Sequence, residues 1–406
     1  MTSPVGTEQP SPAEPETPES SRWREAMREI TSGNALVAVL GVLLAVSVGS
    51  LMIALTDEQV RDASSYIFAR PGDFFQATWD AIWGAYTALF RGSIYNTRAD
   101  TFATGIRPLT ETCKFAAPLI AAGLGVGLAF RAGMFNIGGR GQMLLAGAAA
   151  GWVGYQFSLP WPVHLTLAVG AGMLAGALWA GLAGLLKART GAHEVIVTIM
   201  LNYVAFYLVF FALSQQSLLQ APGSFNPKSA PMRESATMPK LLGDQYNLHL
   251  GFLLALVAVA FVWWLLTRSA LGFRIRAVGL NPTAARAAGI NVGRTYTLVM
   301  VIAGALVGLA GANQVLGTVT SGVTVDLDAG IGFDAITVAL LGRSRPLGIL
   351  GAGLLFGAFK AGGFAMQASQ DIPVDIVLVV QSLIVLFLAA PPLIRAIFRL
   401  PAKEAK

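Results

Sequence analysis

The chain is poor in charge: 12% of its 406 residues are charged, against 54% hydrophobic. A single cysteine, Cys113, excludes an internal disulfide and any multi-cysteine metal centre. The three histidines, His164, His193 and His249, are scattered, so a structural zinc is not expected. No phosphate loop of the form GxxxxGK followed by Ser or Thr occurs, so the chain cannot hydrolyse a nucleotide by that route, and energy must come from a gradient or a partner. No Ser/His/Asp or Cys/His set can be assigned to one place, and the pair His193-Glu194 lacks a second ligand group nearby. An enzyme is therefore not expected, and no cofactor is implied. Residues 1–20 contain no aromatic side chain and are rich in Pro, Ser, Thr and Glu, a composition that cannot bury enough apolar surface to order itself.

What is present is apolar length. The mean hydropathy is +0.62, and several apolar runs approach 20 residues. Backbone polar groups must be satisfied inside hydrocarbon, and the weak alternation of a membrane barrel is absent, so the runs read as helices. The expected fold is an all-α polytopic bundle of about ten transmembrane helices. The runs are about 34–55, 112–130, 143–157, 162–186, 194–213, 250–267, 298–316, 331–341, 348–364 and 373–390.

The net charge of +6 resides largely in short connections beside these runs, where it orients the bundle and does not point to nucleic acid. Arg22, Arg24 and Arg28 precede the first run without the order of a cleavable signal peptide. Residues 1–33 thus read as a cytoplasmic, disordered tail with a short basic helix. Residues 34–395 form the membrane domain, and 396–406 form a basic cytoplasmic tail. Between Thr56 and Glu111 the composition is mixed, which fits an external segment. Within it, Trp79, Trp83 and Tyr86 follow a helical pattern interrupted by Asp80, which predicts an interfacial helix; a spanning one would flip every later orientation. Gly172, Gly176, Ala180 and Gly184 recur at every fourth position and predict a close helix–helix contact. Trp263 and Trp264 suit an interfacial belt.

Polar groups and helix breakers inside apolar runs mark candidates for a substrate pathway. The first group is Phe135, Asn136 and Gln142, among Gly138, Gly139 and Gly141, where a continuous helix is costly. Helix ends there would offer unpaired backbone groups to a solute, or the segment is an ordinary tight loop. Glu194 and Asn202 lie eight residues apart, roughly 80 degrees on the helical wheel, and either line a pathway or bind neighbouring helices. Asn313, beside Gln314, and Asp334 complete the set, since an ionisable Asp in an apolar run needs water or a partner. Lys360 and Asp375 are explained by an ion pair between them. FNIGGRGQMLLAG and GFDAITVALLG share a pattern that suggests two related halves.

The basic island over residues 268–296 separates two long apolar runs. Asn281 can cap a helix there, Pro282 suits its first position, and Gly289 suits the left-handed residue after its end. The two-turn helix between them, which includes Ala285, would present a small exposed face bearing Arg286. Lying at the membrane surface, it could take a push from a partner and pass it into both adjoining spans, or merely cap a polar loop.

FNIGGRGQMLLAG, HEVIVTIMLNYVA, GLNPTAARAAGI, GFDAITVALLGRSRPLGILGAGLLFGAFKAGG and DIVLVVQSLIVLFLAA, in that order over about Thr110 to Ala390, resemble the permease subunits of bacterial ABC importers for nucleosides and simple sugars. The resemblance implies a permease of the inner membrane with both termini cytoplasmic. Its partners would be a cytoplasmic ABC ATPase, a second related permease and an extracellular substrate-binding lipoprotein. AARAAGI matches that family's ATPase-contacting coupling helix, and the FNIG phrase is closer to nucleoside than to ribose permeases. Arg140 and His193 depart from the family, which usually has an acidic residue and Asn there. The alternatives are a proton-coupled secondary transporter working through Glu194, Asp334 or Asp375, and a membrane scaffold.

Overall fold

The computed structural model describes residues 34–399, so the expected N-terminal tail and the end of the basic C-terminal tail lie outside the described residues. The chain forms α1 (Asn34–Thr56), α2 (Glu58–Ser65), α3 (Pro71–Ser93), α4 (Phe102–Gly105), α5 (Arg107–Arg131), α6 (Gly139–Gln156), α7 (Trp161–Thr190) and α8 (Glu194–Leu213). It continues with α9 (Gly251–Arg268), α10 (Ala270–Leu280), α11 (Pro282–Ala287), α12 (Val292–Asn313), α13 (Ile331–Leu341), α14 (Pro346–Gln370), α15 (Val374–Ala389) and α16 (Pro391–Ile397). Among the described residues no β-strand forms. Among these residues seven helices are long and apolar enough to cross a membrane by themselves, and two shorter apolar ones correspond to α13 and α15. With α6, whose first turn carries Arg140 and two glycines, they occupy the ten expected positions. The fold is an all-α polytopic bundle.

Local chemistry sets the helix boundaries. α7 has Pro162 in its first turn and stops at Gly191 in the left-handed region (φ 70°), while α14 starts on Pro346. α10, which lies inside the basic island and is not evident from its composition, starts where the Ser269 hydroxyl accepts the Gly272 N–H at 2.9 Å. The core is built on small residues. Gly172, Gly176 and Gly184 of α7 meet α12, where a Cβ placed on Gly176 would fall 2.3 Å from the Gly304 carbonyl oxygen. That is the expected close contact, with its partner helix now identified.

Two ends of the bundle emerge from these contacts. At one end Arg131 Nε donates to the Ser344 carbonyl (2.9 Å), Gly279 abuts the Arg131 carbonyl and Lys187 lies over the Tyr296 ring. At the other, Tyr246 Oη donates to the Ala103 carbonyl (3.1 Å), Met232 N to Thr320 O (2.9 Å) and Asn247 to the Glu111 carboxylate. The basic connections after α5, α7, α9 and α13 gather at the first end. α3 does not carry the chain between the ends. Its Gly84 faces Gln370 and its Gly92 faces Gly362 and Ala365, so it runs antiparallel along the last turns of α14. Its end then meets α5 through the Thr112 hydroxyl, which donates to Ser93 O at 2.6 Å. α3 therefore adds no crossing between α1 and α5.

Candidate translocation site and coupling helix

α5 ends at Arg131, and Gly133 adopts φ 72°, a turn that releases the chain from helical geometry. Residues 134–138 then run without helix along α8, and their backbone needs partners that water cannot supply inside a membrane. α8 supplies them from one face. The Glu194 carboxylate accepts from Phe135 N (3.5 Å), and the Thr198 hydroxyl accepts from Ile137 N (3.3 Å). The Asn202 amide donates to Ile137 O and accepts from Gly141 N, each at 2.9 Å. The shared face of Glu194 and Asn202 was legible in their spacing. Thr198, midway between them, was missed, although a third polar residue at the same four-residue interval was a usable signal.

Asn136 and Gln142 are both fully buried, and each amide serves the other: Gln142 Nε2 donates to Asn136 Oδ1 at 2.9 Å, and Asn136 Nδ2 donates back at 3.2 Å. Asn136 Oδ1 also accepts from Gly138 N (3.0 Å). Glu194 is ion-paired to Lys187. In this conformation Phe135 is the exposed member of the group, its ring centroid 4.8 Å from that of Phe130.

The N-termini of α6 and α13 meet inside the bundle. A Cβ on Gly332 would fall 2.4 Å from Arg140 N, and one on Gly139 2.6 Å from Gly332 O, so both positions require glycine. α13 has 11 residues, roughly 16 Å of helix, too short to span alone. Two positive helix ends and Arg140 therefore converge on one place. The countercharges are local. Asp328 pairs with Arg140 at 3.4 Å, and Asp334 pairs with Lys360 at 3.4 Å. Lys360 also donates to Ala329 O at 3.0 Å. This corrects the expected Lys360–Asp375 pair: Lys360 serves the start of α13, and Asp375 is exposed. The FNIGGRGQ and GFDA phrases, distant in sequence, are the two sides of this crossing.

Asn313 lies apart from that crossing. It is fully buried on α12, where its amide donates to Gly251 O (3.1 Å) while its Oδ1 finds no partner. A π-turn over Gln314–Thr318 follows, with Gly317 packed against the buried ring of His249. Gly251 N donates to His249 Nδ1 (3.2 Å), so the neutral ring carries its proton on Nε2. Burial, with Lys114 nearby and only partly offset by Glu111, pulls the His249 pKa from 6.5 down to about 4. An unfolded chain takes up this proton below about pH 6.5, whereas the folded chain does so only near 4. Stability is therefore complete above pH 6.5 and lost as pH falls, by up to about 3 kcal/mol at roughly 1.4 kcal/mol per unit. Unfolding in detergent across this range should show the slope in the native chain and not in His249→Gln. His164, in contrast, is fully satisfied by Ser235 and the Val153 carbonyl (2.8 and 2.9 Å).

α11 stands at the basic end. The Asn281 side chain accepts from Thr283 N and Ala284 N, both at 3.0 Å, and Pro282 occupies the first turn. Gly289 has φ 81°, and Ile290 N donates back to Ala285 O at 3.0 Å. Ala285 is buried against Val278 and Val292, while Arg286 and the remaining residues of the helix are exposed. A six-residue helix thus has rigid ends, one seated residue and an open outer face.

Residues 109–389 match the family described as branched-chain amino acid transport system / permease component. The chain is 35% identical over 364 residues to the guanosine ABC transporter permease protein NupP of Bacillus subtilis, covering 89% of this chain and 94% of that one. It is 36% identical over 294 residues to the glucose ABC transporter permease protein TsgB13 of Haloferax volcanii, with 69% and 75% covered. It is 35% identical over 317 residues to the nucleoside ABC transporter permease protein NupB of Lactococcus lactis, with 77% and 84% covered. A buried, glycine-crossed break in the bundle and a capped helix at its basic end are thus features of a chain that belongs to this family of transport-system permease components.

Proposed function

We propose that the chain is the membrane-spanning subunit of an ABC importer that moves a nucleoside or a simple sugar into the cell. The carrying observation is α11, a short helix with rigid caps and a free outer face, placed between α10 and the spanning α12 at the basic end. A separate cytoplasmic ATPase grips this face through Asn281–Gly289 and supplies the energy the chain lacks. A second related permease completes the pathway, and an extracellular binding lipoprotein delivers the solute. The chain lies in the bacterial inner membrane with both termini cytoplasmic, and it performs no chemistry of its own.

The pathway runs past the crossing of α6 and α13. Phe135 and Asp334, partly exposed there, meet the solute, while Asn136, Gln142, Glu194 and Asn202 hold the extended segment that forms one wall. Asn313 acts at the other end of the route, beside His249. A proton-driven transporter fits less well, because of the three acids it would use, Glu194 and Asp334 are each paired with a lysine and Asp375 is exposed at the start of α15. Nucleosides are favoured over hexoses by the two relatives matched over more than three quarters of this chain.

Reconstitution decides the matter. Liposomes with the full set of partners and internal ATP should accumulate labelled guanosine, and unlabelled nucleosides should compete better than glucose. Uptake by the purified chain alone under a pH gradient would overturn this reading.

A further inference from the structure

A cavity of about 820 Å³ opens at the basic end, between α9, α10 and the turn that joins α13 to α14. Four arginines line it: Arg131 at the end of α5, Arg276 on α10, and Arg343 and Arg345 in the turn. No acidic residue lines the cavity, and among the described residues none of the four is paired with a carboxylate. Arg131 is fixed by its bond to the Ser344 carbonyl. Arg343 and Ser344 both take left-handed backbone conformations (φ 52° and 51°), unusual for side-chain-bearing residues and costing of order 1–2 kcal/mol each. The start of α14, at Pro346–Gly348, also forms part of the wall and adds the positive end of a helix dipole.

Four unneutralised cations within one cavity repel each other, and strained backbone at Arg343 and Ser344 holds the turn that presents Arg343 and Arg345 to it. An anion relieves that repulsion. Apart from Thr267, the side chains of the rest of the wall are apolar, with Trp263 and Leu266 on α9 and Leu347 on α14. Leu347 is 69% exposed and Trp263 47%. A small free anion has no use for such a wall, whereas a lipid places its phosphate among the arginines and its chains along the tryptophan and leucines. We propose that this cavity is a binding site for an anionic glycerophospholipid of the leaflet at the basic end. A zwitterionic lipid would bring its own ammonium into an already cationic site.

Occupancy has a mechanical consequence. Arg276 is on the helix that leads directly into the Asn281 cap of α11, and Gly279 rests on the Arg131 carbonyl. A phosphate shared by Arg276, Arg131 and the turn arginines ties the base of α11 to the bundle.

The test uses the full chain, purified and delipidated in detergent, and titrated with dioleoyl phosphatidylglycerol, dioleoyl phosphatidylcholine or inorganic phosphate. Bound lipid is counted by native mass spectrometry, and the unfolding midpoint is followed in parallel. Phosphatidylglycerol should bind about tenfold tighter than phosphatidylcholine and raise the midpoint, the free-energy equivalent of ~1.4 kcal/mol. The Arg343→Gln/Arg345→Gln pair should erase this preference, and the Arg343→Lys/Arg345→Lys pair should keep most of it. Equal binding of the two lipids, or a preference that survives the glutamine pair, overturns the proposal. Inorganic phosphate that competes as well as phosphatidylglycerol identifies a free-phosphate site and overturns the lipid. Should the glutamine pair fail to fold, Arg276→Gln in the same titration carries the decision.

Discussion

Replacing Gly289 with Val, or reversing charge with Arg286→Glu, should reduce ATP-dependent uptake to background in the complete transporter while the chain remains inserted at normal abundance. The two changes act differently on the same short helix. At φ 81° an L side chain is strained, a β-branched one most of all, and nothing lies within 4 Å of where its Cβ would be. The cost is therefore conformational: the turn after α11 relaxes and the helix changes pitch, without a clash in the bundle. Arg286→Glu leaves the backbone alone and alters only the exposed face. A mis-set coupling of about 3 kcal/mol corresponds to a loss of roughly 100-fold in rate. Gly289→Ala should retain partial uptake, and Asn281→Ala, which removes a cap worth about 1 kcal/mol, should fall between. Vesicle uptake read beside membrane abundance separates these outcomes. Wild-type transport in both main variants would remove α11 from the coupling role.

Gly176→Val should prevent the bundle from forming at all. The added Cβ would lie 2.3 Å from Gly304 O and 2.8 Å from Gly308 Cα, and these are backbone atoms that cannot rotate away. The same contact is tight in reverse, with a Cβ on Gly304 falling 2.2 Å from Gly176 O and one on Gly308 2.5 Å from Gly172 O. Relief requires α7 and α12 to separate along their whole contact. The loss should exceed the ~3 kcal/mol of ordinary overpacking, because the dispersion contacts of the interface are lost with it. Gly170 on the same helix has open space around its Cβ, so Gly170→Val should fold normally. Size-exclusion profiles of detergent extracts would show an aggregated first variant and a monodisperse second one.

Legibility differed between elements for physical reasons. α11 could be read in full because its cap, its proline and its left-handed glycine are local choices within nine residues. The small-residue stripe of α7 announced a close neighbour, yet α12 as that neighbour lies more than 100 residues away and leaves no local mark. Lys360 illustrates the same limit: two acids were in reach of a sequence argument, and the fold chose Asp334 over Asp375. α10 was hidden because a basic stretch between spans reads equally well as loop or helix until Ser269 is seen to cap it.

By itself the amino-acid sequence determined the class of molecule, the approximate places of the ten apolar runs, the end at which basic connections gather, and the capped helix within residues 281–289. Each of these follows from hydropathy, capping and charge within a short window. Only the tertiary structure decided that Glu194, Thr198 and Asn202 stitch down the segment after α5, that α6 and α13 cross at Gly139 and Gly332, and that four arginines from three distant stretches share one cavity. Those outcomes depend on which remote backbones approach within a hydrogen bond of one another, and that is set by packing the whole bundle.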